Sequence, residues 1–159
     1  MREEPKQRIS ERALTVWRIS GAILSAILWI VFFAFVAVTL IFDWPYWLIM
    51  IGFIVVVVDT YVTIFVFPKL RWKRWRYEVH EHEIDIQHGL FIVRRTIIPM
   101  VRVQHVDTEQ GPLLRKYHLA TVSVSTAATT HEIPALDVEE AEKLRDRISI
   151  LARVVDEDE

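Results

Sequence analysis

Few side chains in this sequence combine reactive type with close spacing, and His80-Glu81-His82-Glu83 is the densest cluster. Two histidines at i,i+2 on a strand project to one side and, with a carboxylate, match a divalent-metal donor set. The cluster falls where a hairpin should turn, however, so it reads as a solvated polar turn. His105, His118 and His131 stand alone and read as structural. With no cysteine there is neither a disulfide framework nor a thiolate metal site. No Ser-His-Asp set follows from spacing, and four glycines leave little room for a phosphate-cradling loop. The expectation is no catalytic residue, no metal and no cofactor.

Asp59 is a different kind of candidate. It is the one ionisable residue in an otherwise apolar run, Tyr46 to Phe67, with Thr60 and Thr63 beside it. A carboxylate deep in a bilayer costs on the order of 3 kcal/mol, so it normally faces another helix or a wet cavity. Asp59 and Thr63 are therefore read as an intramembrane polar contact used in assembly. The first run offers Ser20, Ser25 and Thr39 but no basic group, which points to a donor on another chain. Titration of Asp59 within a transport or channel assembly is the rival reading.

The elements that position Asp59 follow from hydropathy. Ile19 to Phe42 is 24 residues without a charge, about 36 Å of helix, enough to cross a core of roughly 30 Å. A signal-peptide apolar region is shorter, and a second span follows almost at once. Asp43-Trp44-Pro45 must hold the turn, because Pro45 biases Trp44 away from helix. So short a turn makes the two helices antiparallel neighbours. Trp44 and Trp47 at the turn, and Trp17, Trp72 and Trp75 at the open end, fit aromatic belts.

Charge sets the orientation. Residues 1–76 carry a net +5 and residues 77–159 a net −7. The turn has no Lys or Arg, whereas Lys69, Arg71, Lys73, Arg74 and Arg76 crowd the far flank, which places both termini in the cytoplasm. The same five residues alternate with bulky groups, as an anionic-lipid anchor would. An acidic distal domain makes nucleic acid an improbable partner.

Beyond Trp75 the periodicity becomes alternating. Tyr77–His80, Ile84–Gln87 and Leu90–Ile98 read as strands, with His88-Gly89 as a tight turn. Val101–Val106 alternates again, Leu113–Tyr117 reads as one helical turn, and Thr121–Ser125 and Thr130–Ile133 as further strands. Asp137, three residues before Glu140, starts a helix in capping-box fashion. Val138, Ala141, Leu144, Ile148 and Leu151 give it one apolar stripe. The divisions are an N-terminal segment (1–18), a transmembrane hairpin (19–67), a basic linker (68–76), a β-rich domain with its helix (77–155) and an acidic tail (156–159).

The stretches Ile98–Val106, Gln110–Arg115 and Leu119–Ala127, in that order, resemble the bacterial pleckstrin-homology domain of the type-2 kind. The resemblance implies a membrane α-hairpin followed by an α+β pleckstrin-like antiparallel barrel of seven strands, capped by the C-terminal helix. It also implies no catalytic residues, a bacterial cell-membrane location, and company with a longer relative carrying several such domains. It links the family to protecting the envelope against antimicrobial peptides. The fold's familiar lipid site uses basic residues in the first hairpin loop, where this chain has Glu81 and Glu83. Arg94, Arg95, Arg102, Arg115 and Lys116 remain as a basic surface, with Arg102, Arg115 and Lys116 as the protein-binding candidates. The sequence thus supports a non-enzymatic interaction or scaffold subunit of an envelope complex, with membrane lipids and an integral membrane protein as partners. Transport through Asp59, or sensing of anionic lipid, are the alternatives.

Overall fold

The structure, a computed structural model, describes residues 3–157. The chain divides into two compact units, one of Trp17–Leu70 and one joining the N-terminal residues through Val16 to Arg71 and all that follows.

The first unit is a helical hairpin. Helix α1 runs Arg12–Ile41 and α2 runs Trp47–Tyr61. A π-helical turn, Val62–Val66, and α3, Phe67–Arg74, continue α2. Phe67 N–H reaches back five residues to the Val62 carbonyl, and this widened turn lets the helix pass Pro68. Lys69–Arg74, expected in a linker, are therefore helical. Asp43 closes α1 in the left-handed region (φ 51°), and Trp44 N–H bonds back to Thr39 O at 3.0 Å. This is a Schellman-type stop, and Asp tolerates the required φ better than a branched residue would.

The hairpin seam combines small groups with one buried ring. Gly21, Ser25, Phe32 and Thr39 are buried on α1, opposite Val56. A Cβ on Gly21 would lie 2.9 Å from Thr63 O, so only glycine allows that approach. Trp29 joins a ring cluster with Phe32 and Phe53, and its Nε1–H donates to Thr60 Oγ1 at 3.1 Å. The outer faces are apolar and open, with Ile30, Phe33, Val55 and Val58 all more than half exposed. Two helices of 30 and 28 residues with such surfaces are membrane spans.

The second unit holds two antiparallel sheets. Strands β1 (Gln7–Arg8), β2 (Arg76–Val79), β3 (Glu83–His88) and β4 (Arg94–Pro99) pair in that order. After a 3₁₀ turn, Met100–Arg102, strands β5 (Val103–Glu109), β6 (Leu119–Thr126) and β7 (Thr130–Asp137) form the other sheet. A short helix, α4 (Pro112–Lys116), links β5 to β6, and α5 (Val138–Glu157) follows β7. The seven strands and terminal helix have the pleckstrin-like arrangement expected, built as two sheets rather than one closed barrel. Ile84, Ile86, Ile98, Met100, Leu119, Val122, Val124, Ile133 and Leu136 form the core. Ala141, Leu144 and Ile148 of α5 are buried with them, as the apolar stripe requires. Since α5 runs on to Glu157, the acidic tail begins inside it; residues 158–159, like 1–2, lie outside the described residues.

The N-terminal segment belongs to this domain, although read as a region of its own. Gln7 and Arg8 pair with Tyr77 and Arg76 of β2. Two residues later Ser10 N–H donates to Ala135 O of β7 at 3.1 Å, and Ser10 Oγ donates to Asp137 at 3.0 Å. The β7 register shifts at this point, and Pro134, which cannot donate to a ladder, sits in the bulge. Ser10 Oγ also accepts Arg12 N–H at 3.3 Å, which caps α1. Asp137, read as the residue that opens α5 in a capping box with Glu140, accepts a hydrogen bond from Ser10. Pro5, Ile9, Ala13 and Val16 are buried, and the strand and turn of Gln7 to Ser10 link one sheet to the other.

Candidate functional site

In the hairpin, helical geometry separates Asp59 from its neighbours. Gly52, Val56 and Thr60 recur every four residues and face α1, so Asp59, about 100° round the helix from Thr60, is turned away from the seam. Thr60 donates to Val56 O at 2.7 Å and accepts from Trp29, and Thr63 packs on Gly21. Thr63 thus serves the hairpin's own packing. The Asp59 side chain is exposed, and its carboxylate has no hydrogen-bond or ion-pair partner among the described residues. The polar contact across the hairpin is made by Trp29 and Thr60, a pairing that apolar periodicity does not single out.

In the domain, several residues read as free surface are committed. Arg76 pairs with Glu4 at 2.8 Å. Arg95 grips Asp85 with Nε 3.0 Å from both carboxylate oxygens, and its Nη2 donates to Glu3 O at 2.7 Å. Asp85 is buried beneath it, and this bidentate geometry is the arrangement a buried carboxylate needs. Arg95 is therefore committed to this pair although still exposed, and Arg94 beside it is exposed as well. Trp75, expected in an aromatic belt, is buried and stacks on His88 with ring centres 5.0 Å apart and planes 17° from parallel. Trp72 donates to Ser10 O at 3.1 Å, with Arg8 over its ring.

Arg102, Arg115 and Lys116 do not form one patch. Arg102 precedes β5, whereas Arg115 and Lys116 follow it on α4. The seven residues of β5 span on the order of 20 Å, so the groups lie at opposite ends of a strand. Arg115 instead borders an open cleft of about 820 Å³ with Arg12, His118, Glu139 and Lys143, whose charges are mixed. Lys69, Arg71, Lys73 and Arg74 are exposed on α3. His80, Glu81 and His82 form the turn between β2 and β3, and among the described residues no three metal-ligating side chains converge there.

The β3–β4 connection departs most from its expected form. The apolar run Leu90–Val93 is not strand: pairing stops at His88 opposite Arg94. Gly89 takes φ +137°, and a Cβ there would lie 1.9 Å from Ile92 O, so the chain doubles back at once. Phe91 and Ile92 are left 83% and 75% exposed. At the base of this loop, burial holds the His88 imidazole below its usual range, with Arg94, His131 and Arg71 adding to the effect. Both influences favour the neutral imidazole where His88 meets Trp75.

The chain is 58% identical over 158 residues to the UPF0699 transmembrane protein YdbS of Bacillus subtilis (strain 168), a match covering 99% of each chain. It is 28% identical over 83 residues to the UPF0699 transmembrane protein YdbT of the same organism. That second match takes in 50% of this chain and 17% of the longer protein. No solved structure matches. Residues 19–152, which run from the first span through the β domain into α5, match the bacterial PH domain family, and the chain belongs to that family.

Proposed function

We propose that this protein is a non-enzymatic, membrane-anchored interaction subunit of a cell-envelope complex, held to an integral membrane partner through Asp59. The observation that carries this reading is the Asp59 carboxylate on an outward apolar face, with no partner among the described residues. Left facing lipid it costs on the order of 3 kcal/mol, which a donor from another helix would offset. Thr60, already bonded to Trp29 and Val56, is spent within the hairpin. A longer relative with several such domains, which the family resemblance implies, is the kind of partner proposed. Protection of the envelope against antimicrobial peptides is the setting that the family resemblance suggests.

Asp59→Leu should insert and fold normally but weaken the complex. A hydrogen bond between membrane helices contributes ~1–2 kcal/mol, so dissociation should rise about five- to thirty-fold. Gentle-detergent purification with mass spectrometry reads the loss. Undiminished partner yield would sink the reading, and loss of ion or peptide flux from an intact complex would establish the transport alternative instead.

The basic flanks Arg12, Arg18 and Lys69–Arg74 against a turn without Lys or Arg support a cytoplasmic domain with both termini inside. Protease added to intact cells should leave the β domain whole, while opened cells should lose it. Cleavage from outside would reverse the orientation.

A further inference from the structure

We infer that the Leu90–Val93 loop is a second membrane contact, with Phe91 and Ile92 inserting among the headgroups of the leaflet on the domain's own side. Phe91 and Ile92 are the two most exposed large apolar side chains described, ahead even of Ile41 in the hairpin at 74%. Their exposure is built in, because the backbone at Gly89 closes the loop tightly and directs its tip outward. Nothing about the core requires this. A soluble surface would favour polar residues at such a tip, and scattered apolar exposure does not usually gather three consecutive residues, Phe91 to Val93.

Two observations favour lipid as the occupant. The first is covalent reach. His88, at the loop's base, stacks on Trp75, and Trp75 lies eight residues after Phe67, where the apolar span ends. Arg71 and Trp75 are joined by a backbone hydrogen bond, Trp75 N–H to Arg71 O at 3.1 Å. The base of the loop is thereby held to a residue only eight positions along the chain from the end of the apolar span. The second is charge. Arg94 flanks the tip and is exposed, and Arg71 lies near enough to act on His88. Cations around an apolar tip are the composition that enters an anionic interface: the apolar groups reach the acyl boundary and the cations meet phosphate. The contact is separate from Asp59 and holds whichever side of the membrane carries the domain.

The absence of cysteine makes the test direct. Val93→Cys in the full-length protein takes a spin label beside an intact tip, and Ala128→Cys, in the exposed β6–β7 turn, serves as the reference. Both are reconstituted in vesicles of phosphatidylcholine with phosphatidylglycerol. At position 93, collision with oxygen, which concentrates in lipid, should exceed collision with a water-soluble nickel chelate, and position 128 should show the reverse. Adding Phe91→Ser and Ile92→Ser should shift position 93 to the pattern of position 128. A water-like signal at 93 with the native tip overturns the proposal. So does shielding from both reagents, which would mean a second copy of this chain covers the loop. An unchanged lipid signal after the serine substitutions would likewise contradict it.

Discussion

Ile148→Asp is expected to abolish cooperative folding of the β domain while leaving the helical hairpin inserted. Ile148 is fully buried, on the α5 stripe that also carries Ala141 and Leu144. An aspartate there would be cut off from water within the apolar core. The cost is several kcal/mol whether the group stays charged or takes up a proton, against a total of about 5–15 kcal/mol for a typical domain. Leu144, on the same stripe, is 8% exposed and should tolerate the change slightly better. Near-UV circular dichroism and limited proteolysis of the full-length protein in detergent read the outcome. A native spectrum and native protease resistance would mean that α5 is not docked.

Ile9→Asp is expected to act nearly as strongly on the same domain, although residue 9 lies in the chain before the first span. Ile9 is 3% exposed, between the β1 pairing at Gln7–Arg8 and the Ser10 bonds to β7. Burying an unpaired charge there should cost several kcal/mol and release the strap that links the two sheets. Protease cleavage within residues 76–137 should become fast in the full-length variant. If cleavage there stays as slow as in the native protein, the N-terminal strap does not stabilise the sheets. It follows that fragments starting at Trp75 lack part of their own fold, since they omit β1 and Ser10.

The spans were legible because 24 and 22 residues of apolar sequence leave no other solution for the backbone. The helix stripe from Val138 was legible because amphipathic period survives in sequence. The N-terminal strap was not, because a two-residue strand has no period to read; only Ser10, a favoured cap residue ahead of a helix, offered a signal. Leu90–Val93 misled for the opposite reason. Its residues have strong strand preference, but preference here yields to pairing geometry, and Gly89 ends the ladder. Arg76 and Arg95 were read as surface charge because their acids, Glu4 and Asp85, lie on other strands or segments that spacing does not connect. Asp59 was legible as an anomaly. Its outward aspect needed the seam, which the four-residue recurrence of Gly52, Val56 and Thr60 defines.

The central claim is that the face carrying Asp59 meets another membrane protein. Val55 lies one helical turn from Asp59 on that face and is 59% exposed, so a photo-crosslinking amino acid can replace it without touching the carboxylate. Irradiation in native membranes should join position 55 to a second integral membrane protein, and Asp59→Leu in the same background should largely abolish that adduct. Crosslinks to lipid alone, or a protein adduct undiminished by Asp59→Leu, would contradict the account.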